Sequence, residues 1–101
     1  MLVQFTMFPT DKGESVSPYV ARILELVDSS GLAYKLGPMS TAVEGEWDEV
    51  FALLKRCRDE LRKDSNRVYI VISVDDRKGA QNRIEGKIRS VEEKLGKKVS
   101  T

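Results

Sequence analysis

Apolar and polar residues alternate from Leu2 to Phe8, with Val3, Phe5 and Met7 on one side and Leu2, Gln4, Thr6 and Phe8 on the other, as in a strand. Pro9-Thr10-Asp11-Lys12-Gly13 breaks that pattern and predicts a loop. The period then changes: Val16, Val20, Ile23, Leu24 and Val27 make one stripe at helical spacing. Ser17-Pro18 predicts the helix start, with the serine hydroxyl as cap and proline at the first helical position, and Ser30-Gly31 predicts its end. Leu32 to Leu36 and Ser40 to Glu44 are short strand segments around Gly37-Pro38, so close together that they predict an antiparallel hairpin.

A second helix is predicted from Glu46 to Lys63, its apolar face formed by Trp47, Val50, Phe51, Leu54, Cys57 or Arg58, and Leu61. Asp48 and Glu49 in its first turn and Arg62 and Lys63 in its last complement the helix dipole. Arg67 to Val74 is the strongest strand signal in the chain: Val68, Ile70, Ile72 and Val74 fill one face, and Tyr69, Val71 and Ser73 make the other partly apolar. The last helix, Asn82 to Leu95, carries Ile84, Ile88, Val91 and Leu95 and stops at Gly96.

Strand, helix, strand, strand, helix, strand is the split βαβ order of a ferredoxin-like α+β fold. Right-handed crossovers give an antiparallel sheet in the order 4-1-3-2, with two helices on one face and an extra C-terminal helix. Residues 1–101 form a single domain, since a chain of this length buries one modest core. The open face, carrying Gln4, Thr6, Phe8, Ala42, Glu44, Tyr69, Val71 and Ser73, is too apolar to be left fully wet. The fourth strand falls at a sheet edge, where unpaired backbone groups invite another chain. These features predict a homo-oligomer, a symmetric dimer or a dimer of dimers, with the last helix as a second contact. The competing arrangement folds that helix back over its own sheet.

Composition narrows the function by exclusion. Seventeen Lys and Arg against sixteen Asp and Glu argue against a nucleic-acid or general polyanion binder. Between Arg77 and Lys98 eight basic residues face three acidic ones, an excess that a solvated helix explains better than an anion site. No apolar run approaches the roughly 18 residues of a membrane span, and no signal-peptide pattern opens the chain, so the expected location is cytoplasmic. One cysteine, Cys57, forms no internal disulfide. The absence of histidine removes Ser-His-Asp and Cys-His catalysis and Cys/His zinc sites, and no convergent acid pair replaces them. The expectation is a protein that is not an enzyme and has no cofactor or metal. Asp75-Asp76 does not change this, because adjacent carboxylates on extended chain point to opposite sides.

The stretch from Met39 to Asp48 concentrates the remaining chemistry. A carboxylate on a central strand, Glu44, must reach water or find a donor, because burying it unpaired is costly. It can accept from, or balance, a cationic heterocycle, or it can form an interface ion pair. Thr41, on the same strand but the other face, can donate a hydroxyl to a ligand or satisfy a backbone group. Trp47 can stack on a ring, although its place in the apolar stripe favours the core. Ser15 and Ser17 read as caps, with anion binding at the helix start as the second role.

Ser15-Val16-Ser17-Pro18-Tyr19-Val20, Gly31-Leu32-Ala33-Tyr34, Pro38-Met39, Thr41 through Glu44-Gly45-Glu46-Trp47-Asp48-Glu49-Val50, and Asp75-Asp76-Arg77 resemble the YkoF-like thiamine-binding protein family. The likeness runs through nearly the whole chain, and Thr41 to Trp47 is its most specific part. It implies a ferredoxin-like fold, assembly as dimers and tetramers, and non-catalytic binding of thiamine or its hydroxymethylpyrimidine moiety in vitamin handling, within a family many of whose members are uncharacterised. Glu44, with Gln4 or Thr41 and an aromatic wall such as Trp47, would suit an aminopyrimidine and a thiazolium cation. The alternative is a structural or regulatory module whose oligomer binds an anion or a protein partner, with Glu44 as an interface ion pair.

Overall fold

A computed structural model describes all residues, 1–101. The elements follow in the expected order: β1 (Leu2–Pro9), α1 (Ser17–Ser29), β2 (Ala33–Leu36), β3 (Thr41–Glu44), α2 (Trp47–Arg62), β4 (Val68–Asp75) and α3 (Arg83–Leu95). The four strands form one antiparallel sheet in the order β2-β3-β1-β4, the ferredoxin-like arrangement with an appended helix. β1 pairs with β4 over its whole length, from Leu2↔Asp75 to Pro9↔Val68. On its other side it pairs with β3 only from Leu2↔Glu44 to Phe5↔Thr41.

Helices α1 and α2 cover one face, and the core lies beneath them: Val3, Phe5 and Met7 of β1, Val43 of β3, Ile23 and Val27 of α1, and Val50, Leu53, Leu54, Cys57 and Leu61 of α2. Arg22 clamps the two helices, donating from Nη2 to the Glu60 carbonyl at 2.8 Å and pairing with Asp64 at 3.1 Å. A second clasp joins the loops at one end of the sheet, where the Asp11 carboxylate accepts from the Ser65 hydroxyl and, at 2.7 Å, from the Asn66 N–H.

Two local expectations are corrected. Ser17 is not a cap: Val16 holds that position, and Tyr19 and Val20 N–H both donate to its carbonyl at 3.0 Å. Pro18 at the second helical position removes one of the two N–H groups that a capping side chain would serve. Trp47 does not join the core. It is the first residue of α2, 54% exposed, with its ring tilted by 36° against that of Phe51 at a centroid distance of 4.5 Å, while Leu53 fills the core instead.

Helix α3 starts on the face opposite α1 and α2, and Ile84 and Ile88 line a groove there with Leu2 and Ala42. The helix buries no residue completely, and Val91 and Leu95 stay 52% and 54% exposed. It therefore folds back over its own sheet only at its N-terminal end.

Candidate functional site

The unequal lengths of β1 and β3 create a cavity. Pairing between them stops at Phe5↔Thr41, so β1 continues from Thr6 to Phe8 with β4 on one side and no strand on the other. The first turns of α1 roof this gap with Val16, Val20 and Leu24, and the β2–β3 turn closes its side. The cleft, open to solvent on one side, has a volume of about 240 Å³. That is near the small end of ligand pockets, which hold about 300–1,000 Å³, and is sized for a single ring.

Its walls are apolar except at defined points. Thr41, 4% exposed, lies in the floor and is one of three hydroxyl-bearing lining residues with Thr6 and Ser40, while Thr6 Oγ1 donates to the Met39 carbonyl at 2.9 Å and ties the turn to β1. The turn is tight: Gly37 N–H donates to the Ser40 carbonyl at 2.8 Å, and a Cβ at Gly37 would stand 3.0 Å from that same oxygen, so only glycine fits without displacing it. None of the lining side chains carries a charge. The cavity can therefore take a neutral flat ring and orient it by hydroxyl and main-chain groups, but it offers nothing to balance a cation.

Glu44 sits at the other end of β3 on the opposite face, as the alternation of buried Thr41 and Val43 with half-buried Ala42 and Glu44 requires. Its two carboxylate oxygens both accept the Arg83 N–H at 2.9 Å, and one also accepts the Ile84 N–H at 3.3 Å. These are orphan donors at the start of α3. Asn82 precedes them with φ of 55°, in the left-handed region, and makes no side-chain cap. Glu44 thus caps a helix from a neighbouring strand, where negative charge also complements the helix dipole.

The five residues singled out in the sequence do not converge. Thr41 lines the cavity, and Ser15 lies exposed in the loop just before Val16 of its roof. Gln4 is exposed on the open face between Ala42 and Ser73, Glu44 is fastened to α3 on that same face, and Trp47 projects at the start of α2. Sequence reasoning missed Phe5, Phe8 and the 37–40 turn as cavity walls. The signal available was the mismatch between an eight-residue and a four-residue strand.

Elsewhere the chemistry is quiet. The Asp75 carboxylate pairs with Lys87 of α3, which holds it below the usual carboxylate range. No group of three or more His, Cys, Asp or Glu side chains is placed to hold a metal ion. Cys57 is buried, and burial pushes its thiol up to about 11, away from nucleophilic use.

Residues 3–92 match the sequence pattern of the family described as Thiamine-binding protein. The chain belongs to this thiamine-binding protein family. Among its relatives, the UPF0045 protein MJ1052 of Methanocaldococcus jannaschii is 30% identical over 92% of this chain and 93% of its own length. The UPF0045 protein YqgV of Bacillus subtilis is 38% identical over 80% and 83%. The crystal structure of the M. jannaschii protein superposes with a TM-score of 0.83, covering 91% of this chain and 95% of that one. A Thermotoga maritima protein, provisionally described as acting in thiamine biosynthesis or salvage, superposes with a TM-score of 0.78 at 26% identity, covering 89% and 96%.

Proposed function

We propose that this member of the thiamine-binding family is a non-catalytic binding protein for thiamine or its hydroxymethylpyrimidine moiety, acting as an oligomer in cytoplasmic vitamin handling. The observation that carries the reading is the uncharged, single-ring cavity with Thr41 in its floor beside the unpaired edge of β1. An aminopyrimidine is flat and carries ring acceptors next to an exocyclic donor, a pattern that a hydroxyl and a strand edge can answer. The cationic thiazolium has no counter-charge inside, so it projects from the mouth and the pyrimidine is the part held.

Calorimetric titration of thiamine and of hydroxymethylpyrimidine against the wild type, Thr41→Val and Glu44→Ala tests this. Thr41→Val keeps the shape and removes one hydrogen bond, so both ligands should weaken by about tenfold. Glu44→Ala should leave pyrimidine affinity nearly unchanged. Loss on Glu44→Ala with none on Thr41→Val would move the ligand to the open face, and absence of wild-type binding at millimolar ligand removes the thiamine reading. The second reading, an interaction module, draws on the half-fastened α3 with Val91 and Leu95 exposed. Under it neither ligand binds.

A further inference from the structure

Helix α3 is fastened across one end of the open face at two points, and basic side chains gather there. In the row formed by three paired strands, Leu2 stands between Glu44 of β3 and Asp75 of β4. Glu44 accepts the Arg83 N–H, and Asp75 pairs with Lys87 one turn further along the helix. Arg83 and Lys87, four residues apart, therefore project from the same side of α3.

Two depressions meet at this pair. One is an open apolar groove of about 410 Å³, bounded by Leu2 and Ala42 of the sheet, Ile84 and Ile88 of α3, and Leu36 and Pro38 of the hairpin. The other is a smaller pocket of about 110 Å³ that adds Asp75, Arg77 and Ala80. Both are lined by Leu2, Arg83 and Lys87, so they form one continuous site with an apolar half and a charged half. The charged half is unbalanced. Arg77 and Arg83 belong to none of the chain's ion pairs, and Asp75 is the one acidic side chain lining either half. Three cationic side chains against one carboxylate leave two positive charges unanswered. The first N–H groups of α3 are already taken by Glu44, so the guanidiniums and not the helix start are the free donors.

We propose that this is a binding site for a phosphate monoester with a short apolar body: the phosphate lies among Arg77, Arg83 and Lys87, and the body lies in the groove. A phosphate monoester carries close to two negative charges at neutral pH and presents three acceptor oxygens, which suits two guanidinium forks beside an ammonium. A carboxylate would leave one positive charge unanswered. Inorganic phosphate would leave the aliphatic wall of the groove in water. The inference is independent of the thiamine reading. Both sites border the turn between β2 and β3, but this one lies on the opposite face from Thr41 and is charged where the cleft is not.

Titration of the full chain with phenyl phosphate at about pH 8, where the phosphate is doubly charged, tests the site when followed by backbone amide shifts. Phenyl phosphate should bind at least about tenfold more tightly than inorganic phosphate, because only the ester buries apolar surface in the groove. The shifts should centre on Leu2 and on Ala80 to Ile88. Arg77→Gln and Arg83→Gln should each weaken phenyl phosphate by at least about tenfold, the loss of a charge-assisted hydrogen bond. Arg83→Gln keeps the N–H that Glu44 accepts, so α3 stays fastened. Arg56→Gln, which removes the same charge from the exposed surface of α2, should leave the affinity unchanged. Equal affinity for phenyl and inorganic phosphate, or an equal loss in Arg56→Gln, overturns the site. So do shifts confined to Val16 to Leu24 around the cleft, or no saturation at millimolar phenyl phosphate.

Discussion

β1 and β4 lie side by side, pair residue for residue, and present apolar rows to the same face of the sheet, yet their burial is opposite. Val3, Phe5 and Met7 are 0%, 3% and 3% exposed, while their partners Val74, Ile72 and Ile70 are 40%, 38% and 37% exposed. The difference is position alone: two helices span the central strands and leave the edge uncovered. Hydrophobicity selects the face a residue occupies, whereas the number of layers above it decides how much water is removed.

The largest effect separates the two strands by mutation. Phe5→Ala should cost about 3–5 kcal/mol, because it leaves a hole in a core that cannot collapse around β1. Ile72→Ala, already partly hydrated, should cost about 1 kcal/mol or less in dilute protein. Urea unfolding at two protein concentrations sharpens the contrast. The Ile72 loss should grow with concentration if β4 is buried by a second copy, and the Phe5 loss should not. Equal losses at both sites would mean that β4 is as well packed within one chain as β1.

The next effect concerns the third helix, which has no core of its own. Glu44→Ala removes the carboxylate that accepts from Arg83 and Ile84, a charge-assisted contact worth about 1.5–3 kcal/mol. Since α3 buries no residue fully, its loss should stay local. Hydrogen exchange should speed from Ile84 to Leu95 while the amides of β1 keep their protection. Glu44→Gln keeps an acceptor without the charge and should fall between. Uniform loss of protection throughout the chain would show that α3 is coupled to the sheet by more than this cap.

Much of this architecture was legible from periodicity. The element order, the strand order and the placing of Thr41 and Val43 against Ala42 and Glu44 all follow from alternation and crossover handedness, and the family resemblance is upheld by the match over residues 3–92. What periodicity does not encode is where an element ends relative to its neighbour. The cavity exists because β3 stops at Thr41 while β1 goes on to Pro9, a relation between strands far apart in sequence. Glu44 was rightly marked as a carboxylate in need of a donor, but the donor is a pair of backbone N–H groups about forty residues away, which carry no side-chain signature. Trp47 shows the converse: its spacing fits the stripe, and only its place at the helix start exposes it.

The smallest effect distinguishes how the two strands are held. β1 is held by burial, whereas β4 is stapled at both ends by carboxylates: Asp11 binds Ser65 and Asn66 just before β4 begins, and Asp75 at its end binds Lys87. Both carboxyls lie below their ordinary value of 3.8, Asp11 chiefly through the Ser65 hydroxyl and Asp75 chiefly through the Lys87 ammonium. A carboxyl whose pKa is depressed on folding stabilises the fold fully above its unfolded value and loses that contribution as pH falls through its folded value. Asp11→Asn should therefore lower the urea midpoint at neutral pH, and the gap to wild type should close as the pH drops below 3.8. Phe5→Ala, which removes no titrating group, should keep the same deficit at both pH values. A pH-independent Asp11→Asn deficit would mean that the clasp acts through shape and not through charge.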